Sequence, residues 1–128
     1  MNMTNLNNAS SLIGRSMISM IFIMAGFSKI GGYAGTQGYM ESVGVPGLLL
    51  PAVIALELLG GLAVLLGYQT KIAALLLGGF TFLAAIIFHS DFGDQMQMIL
   101  FLKNIAISGA FLLLFVHGPG QWALNSTN

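Results

Sequence analysis

The sequence contains no cysteine. That removes disulfides, thiolate metal sites and dithiol relays, so any redox chemistry must run through other groups. Charge is nearly as scarce. Four Lys or Arg and four Asp or Glu make up 6% of 128 residues, with no net charge, where a soluble domain carries about 25%. Four scattered cations cannot build the basic face that grips nucleic acid, so nucleic acid is not an expected partner. The two imidazoles, His89 and His117, close spans at opposite membrane faces, ~25–30 Å apart, and cannot share a haem or a metal. Eight methionines are spread without ligand spacing and read as packing residues. No Gly-rich phosphate loop sits between a strand and a helix, so no intrinsic cofactor is expected.

What the chain does have is apolar length. Hydrophobic residues make up 56% and the mean hydropathy is +0.88. Such a chain cannot cover itself with a polar surface, so its solvent must be the lipid bilayer. About 20 apolar residues cross a bilayer, and four runs qualify: 11–30, 47–66, 71–89 and 97–116. The expected fold is an all-α membrane protein, a bundle of four transmembrane helices. Its parts are a polar tail over 1–10, a single transmembrane domain over 11–117 and a C-terminal tail over 118–128. The N-terminus lacks the basic start and cleavage site of a secretory signal, so the first run reads as a retained span.

The links differ. Residues 31–46, GGYAGTQGYMESVGVP, are rich in glycine and read as a loop or short interfacial helix covering one end of the bundle. GYQT at 67–70 is a tight turn that makes spans two and three antiparallel neighbours. SDFGDQM at 90–96 is an acidic loop. Gly118-Pro119 ends the fourth span, and Trp122 suits the lipid–water boundary. Four spans put both termini on one side. Arg15 and Lys71 lie there against Lys29 on the other, a bias that predicts both termini cytoplasmic.

The chemistry-bearing residues are those whose charge sits at depth. Glu57 lies near the middle of VIALELLGGLAVLLG, with no salt partner within a helical turn. A membrane carboxylate normally faces a protein interior or a wet cavity. Depth alone matches it with Lys103 on span four, and we expect that pair to floor a cavity open toward the acidic loop. Arg15 competes from the opposite side. Asn104 adds donors and an acceptor. His89 closes span three, where it could simply interact with the helix dipole. Lys29 and Lys71 read as span-end residues that snorkel to the interface. Gly60 and Gly61, with Ala74 and Gly78, permit close helix approach. The small-xxx-small pairs Ala74/Gly78 and Ala106/Ala110 read first as ordinary packing within the bundle, with a homo-oligomer face as the lesser alternative.

Taken in order, Gly14-Arg15, FIMAGFSKI, ALELLGGLAVLLG, TKIAALLL, Phe88-His89 and Lys103-Asn104 resemble the DoxX family of small four-span bacterial membrane proteins, over about residues 12–117. The resemblance implies a bacterial inner-membrane location. It also implies association with redox systems, since some relatives belong with thiosulfate:quinone oxidoreductases and others with membrane redox-defence complexes. The family positions matched are Arg15, Lys29, Glu57, His89, Lys103 and Asn104. The leading expectation is a membrane subunit of a redox-linked complex that binds a quinone beside a redox-enzyme partner, a quinone-linked oxidoreductase subunit if it takes part in turnover. Two alternatives stand beside it: a small proton-coupled exporter, and a non-catalytic membrane scaffold.

Overall fold

The computed structural model describes residues 2–125. Met1 and residues 126–128, the outermost ends of the two tails, lie outside the described residues. The elements are α1 (Met3–Gly31), α2 (Tyr33–Ser42), a 3-10 turn (Gly47–Leu49) that runs into α3 (Leu50–Leu66), α4 (Thr70–Phe88) and α5 (Gln95–His117). Among the described residues there is no strand. Among the described residues, four helices are long and apolar enough to cross a membrane: α1, the 3-10 turn with α3, α4 and α5. With only 10 residues, α2 is ~15 Å long and too short to span.

The N-terminal stretch that reads as a polar tail is helical from Met3. Asn2 caps it, its side chain accepting a hydrogen bond from Asn5 N at 2.8 Å, which satisfies one of the four orphan N–H groups of a helix start. The inward face of α1 is a heptad stripe of Asn8, Arg15, Ser19, Phe22 and Gly26. Lys29 continues it one turn further.

Small residues set the helix order. A Cβ on Gly26 would lie 2.6 Å from Leu58 Cδ2, and one on Gly61 would lie 2.9 Å from Ile23 Cγ1, so α1 and α3 approach closely at both points. Gly60 faces the other way, toward Leu77 of α4, and Gly78 of α4 faces Phe111 of α5. The adjacent glycines of α3 therefore serve two different neighbours. In lipid, where burial of apolar surface drives nothing, this close packing is a main source of helix association. The spans form an arc, α1–α3–α4–α5, whose last members, α1 and α5, meet mainly through side chains. Phe22 and Phe111 bridge that seam with ring centroids 5.4 Å apart. These two rings form the core with Val64, Ala73, Ala74 and Leu77. The outward faces carry exposed Met17, Met24, Leu59, Leu75, Leu83, Leu112 and Leu113, the inside-out pattern of a chain solvated by lipid.

At the terminal face, α3 ends on Gly67 in the left-handed conformation (φ 70°), with Tyr68 N donating to Ala63 O at 2.8 Å, a glycine-dependent C-cap. The residues after α5 then fold back across this end. Gly118 and Gly120, both at positive φ, turn the chain. Ser11 Oγ donates to Pro119 O at 2.7 Å, and Asn8 Nδ2 donates to Gln121 Oε1 at 3.3 Å. Leu124 N and Asn125 N donate to Leu66 O and Gly67 O.

Candidate functional site

The site builds from the Gly26–Gly61 contact. Lys29 lies one turn beyond Gly26 on α1, and Glu57 lies one turn before Gly61 on α3, so both share the faces that the glycines bring together. Lys29 Nζ sits 2.9 Å from Glu57 Oε1 and 3.2 Å from Oε2. Only the Oε2 contact has hydrogen-bond alignment, so buried Oε1 has an ionic neighbour but no hydrogen bond. Glu57 is 4% exposed, whereas the Lys29 side chain is 27% exposed. The carboxylate is thus held inside by a cation that still reaches the exterior.

This corrects the pairing read from depth. The partner of Glu57 is Lys29, not Lys103. The inward face of α5 carries Asn104, Ile107, Ser108 and Phe111. Lys103 precedes Asn104 by one residue, a rotation of about 100°, and its side chain is exposed on another face. Matching depth along two helices leaves rotation about each helix open, and rotation turns Lys103 away from Glu57. Lys29 does not snorkel outward, because a buried carboxylate one turn below attracts it more than the interface does. Arg15 does not approach Glu57 either. Its Nη1 donates to Val64 O at 3.1 Å and Leu65 O at 2.9 Å, and its Nη2 donates to Trp122 O at 2.5 Å. Val64 and Leu65 carry carbonyls of the last turn of α3, at the negative end of the helix dipole, and Val64 O also accepts from Gly67 N at 3.2 Å. Arg15 caps that helix and clasps the tail.

The Lys29–Glu57 pair lines a cavity of about 460 Å³. Its walls are mostly apolar, with Phe22, Val53, Phe80, Ala84 and Ile107 among them. Asn104 and His89 also line it, and His89 Nδ1 lies 2.9 Å from Gln97 Oε1 at the start of α5. Thr81 lines it too, but its hydroxyl donates back to Leu77 O at 2.7 Å. The cavity therefore gathers Glu57, Lys29, Asn104 and His89, and leaves out Lys103 and Arg15. Lys71, at the start of α4, belongs to the opposite end.

The residues missed from the sequence are those of α2. Thr36, Tyr39 and Met40 roof the cavity. Tyr39 stacks on Phe88 with centroids 5.4 Å apart, and Gln37 Nε2 donates to Gly47 O at 3.1 Å. The length of the 31–46 link announced a cover, but its low hydrophobicity gave no period from which to read an inward face. Among the described residues, no three of His, Asp and Glu gather to hold a metal ion.

Comparison with known proteins places this architecture. The DoxX family profile matches residues 10–90. The inner membrane protein YqjF of Escherichia coli is 49% identical over 123 residues, covering 96% of this chain and 95% of the relative. The inner membrane protein YphA of Escherichia coli is 40% identical over 121 residues, covering 89% of this chain and 86% of the relative. CatD of Bacillus subtilis, named as a candidate oxidoreductase, is 35% identical over 77 residues, covering 60% of this chain and 57% of the relative. No solved structure matches the chain. The family match over most of the chain, the full-length likeness to inner membrane proteins and the four spanning helices lead to one conclusion: this protein is an integral membrane member of the DoxX family.

Proposed function

We propose that the protein is a membrane subunit that binds a quinone-class molecule in the Lys29–Glu57 cavity, in service of a redox partner protein. The observation that carries this reading is a buried carboxylate paired with an ammonium in the wall of an apolar cavity of ligand size. A quinone presents carbonyl acceptors on a flat apolar ring, and its reduced form presents hydroxyl donors. The Lys29 ammonium and the Asn104 amide supply donors for the first, and Glu57 Oε1 supplies an acceptor for the second. The bound quinone would supply the electron chemistry that a chain without cysteine lacks. The residues of the chain hold the headgroup, exclude water with the α2 roof and keep a proton-accepting carboxylate beside it. The name of the CatD relative points the same way.

A proton-coupled exporter needs Glu57 free to exchange a proton for a cationic substrate. Lys29 already occupies that place, which favours the quinone reading. We also place both termini in the cytoplasm, since Arg15 and Lys71 lie at the terminal end and Lys29 at the other. An alkaline phosphatase fusion after Asn128 that proves active in the periplasm would invert this orientation.

The functional test is mass spectrometry of small molecules and proteins retained after mild detergent extraction. We predict a quinone with the wild-type protein and none with Ala84→Trp, which fills the cavity. No quinone in either sample, or equal amounts in both, would count against the reading. Proton-dependent cation efflux would favour the exporter, and neither activity would favour a scaffold.

A further inference from the structure

The polar groups of the Lys29–Glu57 cavity stand at two ends, and the helix contacts fix their levels. Gly60 of α3 faces Leu77 of α4, and Gly78 of α4 faces Phe111 of α5. Counting ~1.5 Å per residue from those contacts toward the acidic-loop end, Glu57 lies ~5 Å beyond the Leu77 level, Asn104 ~12 Å and His89 ~18 Å. The Lys29 ammonium shares the level of Glu57, since it touches both carboxylate oxygens. Between the two ends the spanning helices offer apolar surface. Val53, Ala84 and Ile107 line that stretch, and the Thr81 hydroxyl is spent on Leu77 O.

Each end combines a donor with an acceptor. At the inner end these are the Lys29 ammonium and the Glu57 carboxylate. At the outer end, Asn104 lines the cavity with a side-chain amide that makes no hydrogen bond among the described residues. His89 lines the cavity beside it, with Nδ1 2.9 Å from Gln97 Oε1. An amide oxygen only accepts, so the proton sits on Nδ1 and the neutral ring keeps Nε2 as an acceptor. Nε2 makes no hydrogen bond among the described residues. Gln97 thus holds the ring by one nitrogen and leaves the other for a ligand.

Resting on the quinone reading, we propose that the cavity clamps a ring that bears two opposite oxygens, one at Lys29 and Glu57 and the other at Asn104 and His89. Its ligand class is then para-quinones and the matching quinols. A quinone carbonyl accepts from Lys29 at one end and from the Asn104 amide at the other. A quinol hydroxyl donates to Glu57 at one end and to His89 Nε2 at the other. Each end therefore suits both oxidation states. A ring with adjacent oxygens satisfies one end and leaves the other unpaired. A site built to hydrogen-bond a hydroxyl discriminates against a ligand that lacks it there.

The test titrates two isomeric probes, tetramethylhydroquinone and tetramethylcatechol, into the full chain in detergent without oxygen. They contain the same atoms and differ in whether the two hydroxyls are opposite or adjacent. The hydroquinone should bind about tenfold tighter, the worth of one well-made hydrogen bond. Asn104→Leu should bring the two affinities together with an unchanged melting temperature, because the amide holds nothing in the fold. Asn104→Ala, which adds no bulk to the cavity, should do the same. Lys103→Met, one residue away with its side chain exposed, should keep the preference. Equal affinities in the wild type, or a preference that survives both Asn104 variants, would overturn the two-ended clamp and leave a quinone site at Lys29–Glu57 standing. Binding of neither probe would overturn the clamp together with the quinone reading.

Discussion

Arg15 and Lys29 lie on one stripe of α1, two heptads and ~21 Å apart, yet they do opposite things. Arg15 is nearly inaccessible and spends both Nη groups on backbone carbonyls that cannot move without unwinding α3 or releasing the tail. Lys29 is partly exposed and holds one side chain, Glu57, at the edge of a cavity. Depth in the membrane does not separate a structural charge from a functional one. The separation lies in whether the partners are fixed backbone or a movable side chain, and in whether ligand space adjoins them.

That contrast can be broken most forcefully at Arg15. We predict that Arg15→Met lowers stability by about 3 kcal/mol, because several charge-assisted hydrogen bonds and a helix cap are lost together. A detergent melt measures this, and limited proteolysis should then cut the residues after Gly118. A loss below ~1 kcal/mol would show that the tail is held by other means. The next effect belongs to the Gly26 contact beside the Lys29–Glu57 pair. Gly26→Val must push Leu58 aside and should cost about 2 kcal/mol as an overpacked contact. It should also reduce ligand retention by moving Lys29 from Glu57. Unchanged retention would detach the pair from the glycine contact. The smallest effect is expected at Lys103. With its side chain exposed on the outer face of α5, Lys103→Met should stay within ~0.5 kcal/mol of wild type in the same melt. A larger loss would return Lys103 to the network.

The four spans were legible because each is a long apolar run, and the α3–α4 hairpin was legible because Gly67 stands where a helix must stop. Glu57 stood out for its position in mid-run. Its partner did not, since matching depths constrain only one coordinate of a helix and leave rotation open. The clue was local: Gly26 and Lys29 are three apart, Glu57 and Gly61 four apart, so each charge rides the face of a close-approach glycine. The tail clasp had no such clue. Its hydrogen bonds join Asn8, Ser11 and Arg15 to residues more than a hundred positions away, mostly through backbone carbonyls, which every residue type possesses.

Glu57 is paired with Lys29, and the proposed function requires that pair to serve a ligand. A double-mutant cycle tests it most directly: Lys29→Met, Glu57→Gln and both together, each scored by detergent melt and by retained quinone. We predict coupling beyond ~0.5 kcal/mol, with the double mutant recovering stability but not quinone. Additive losses would show that the two groups are not coupled, and a double mutant that regains both stability and quinone would show a purely structural pair.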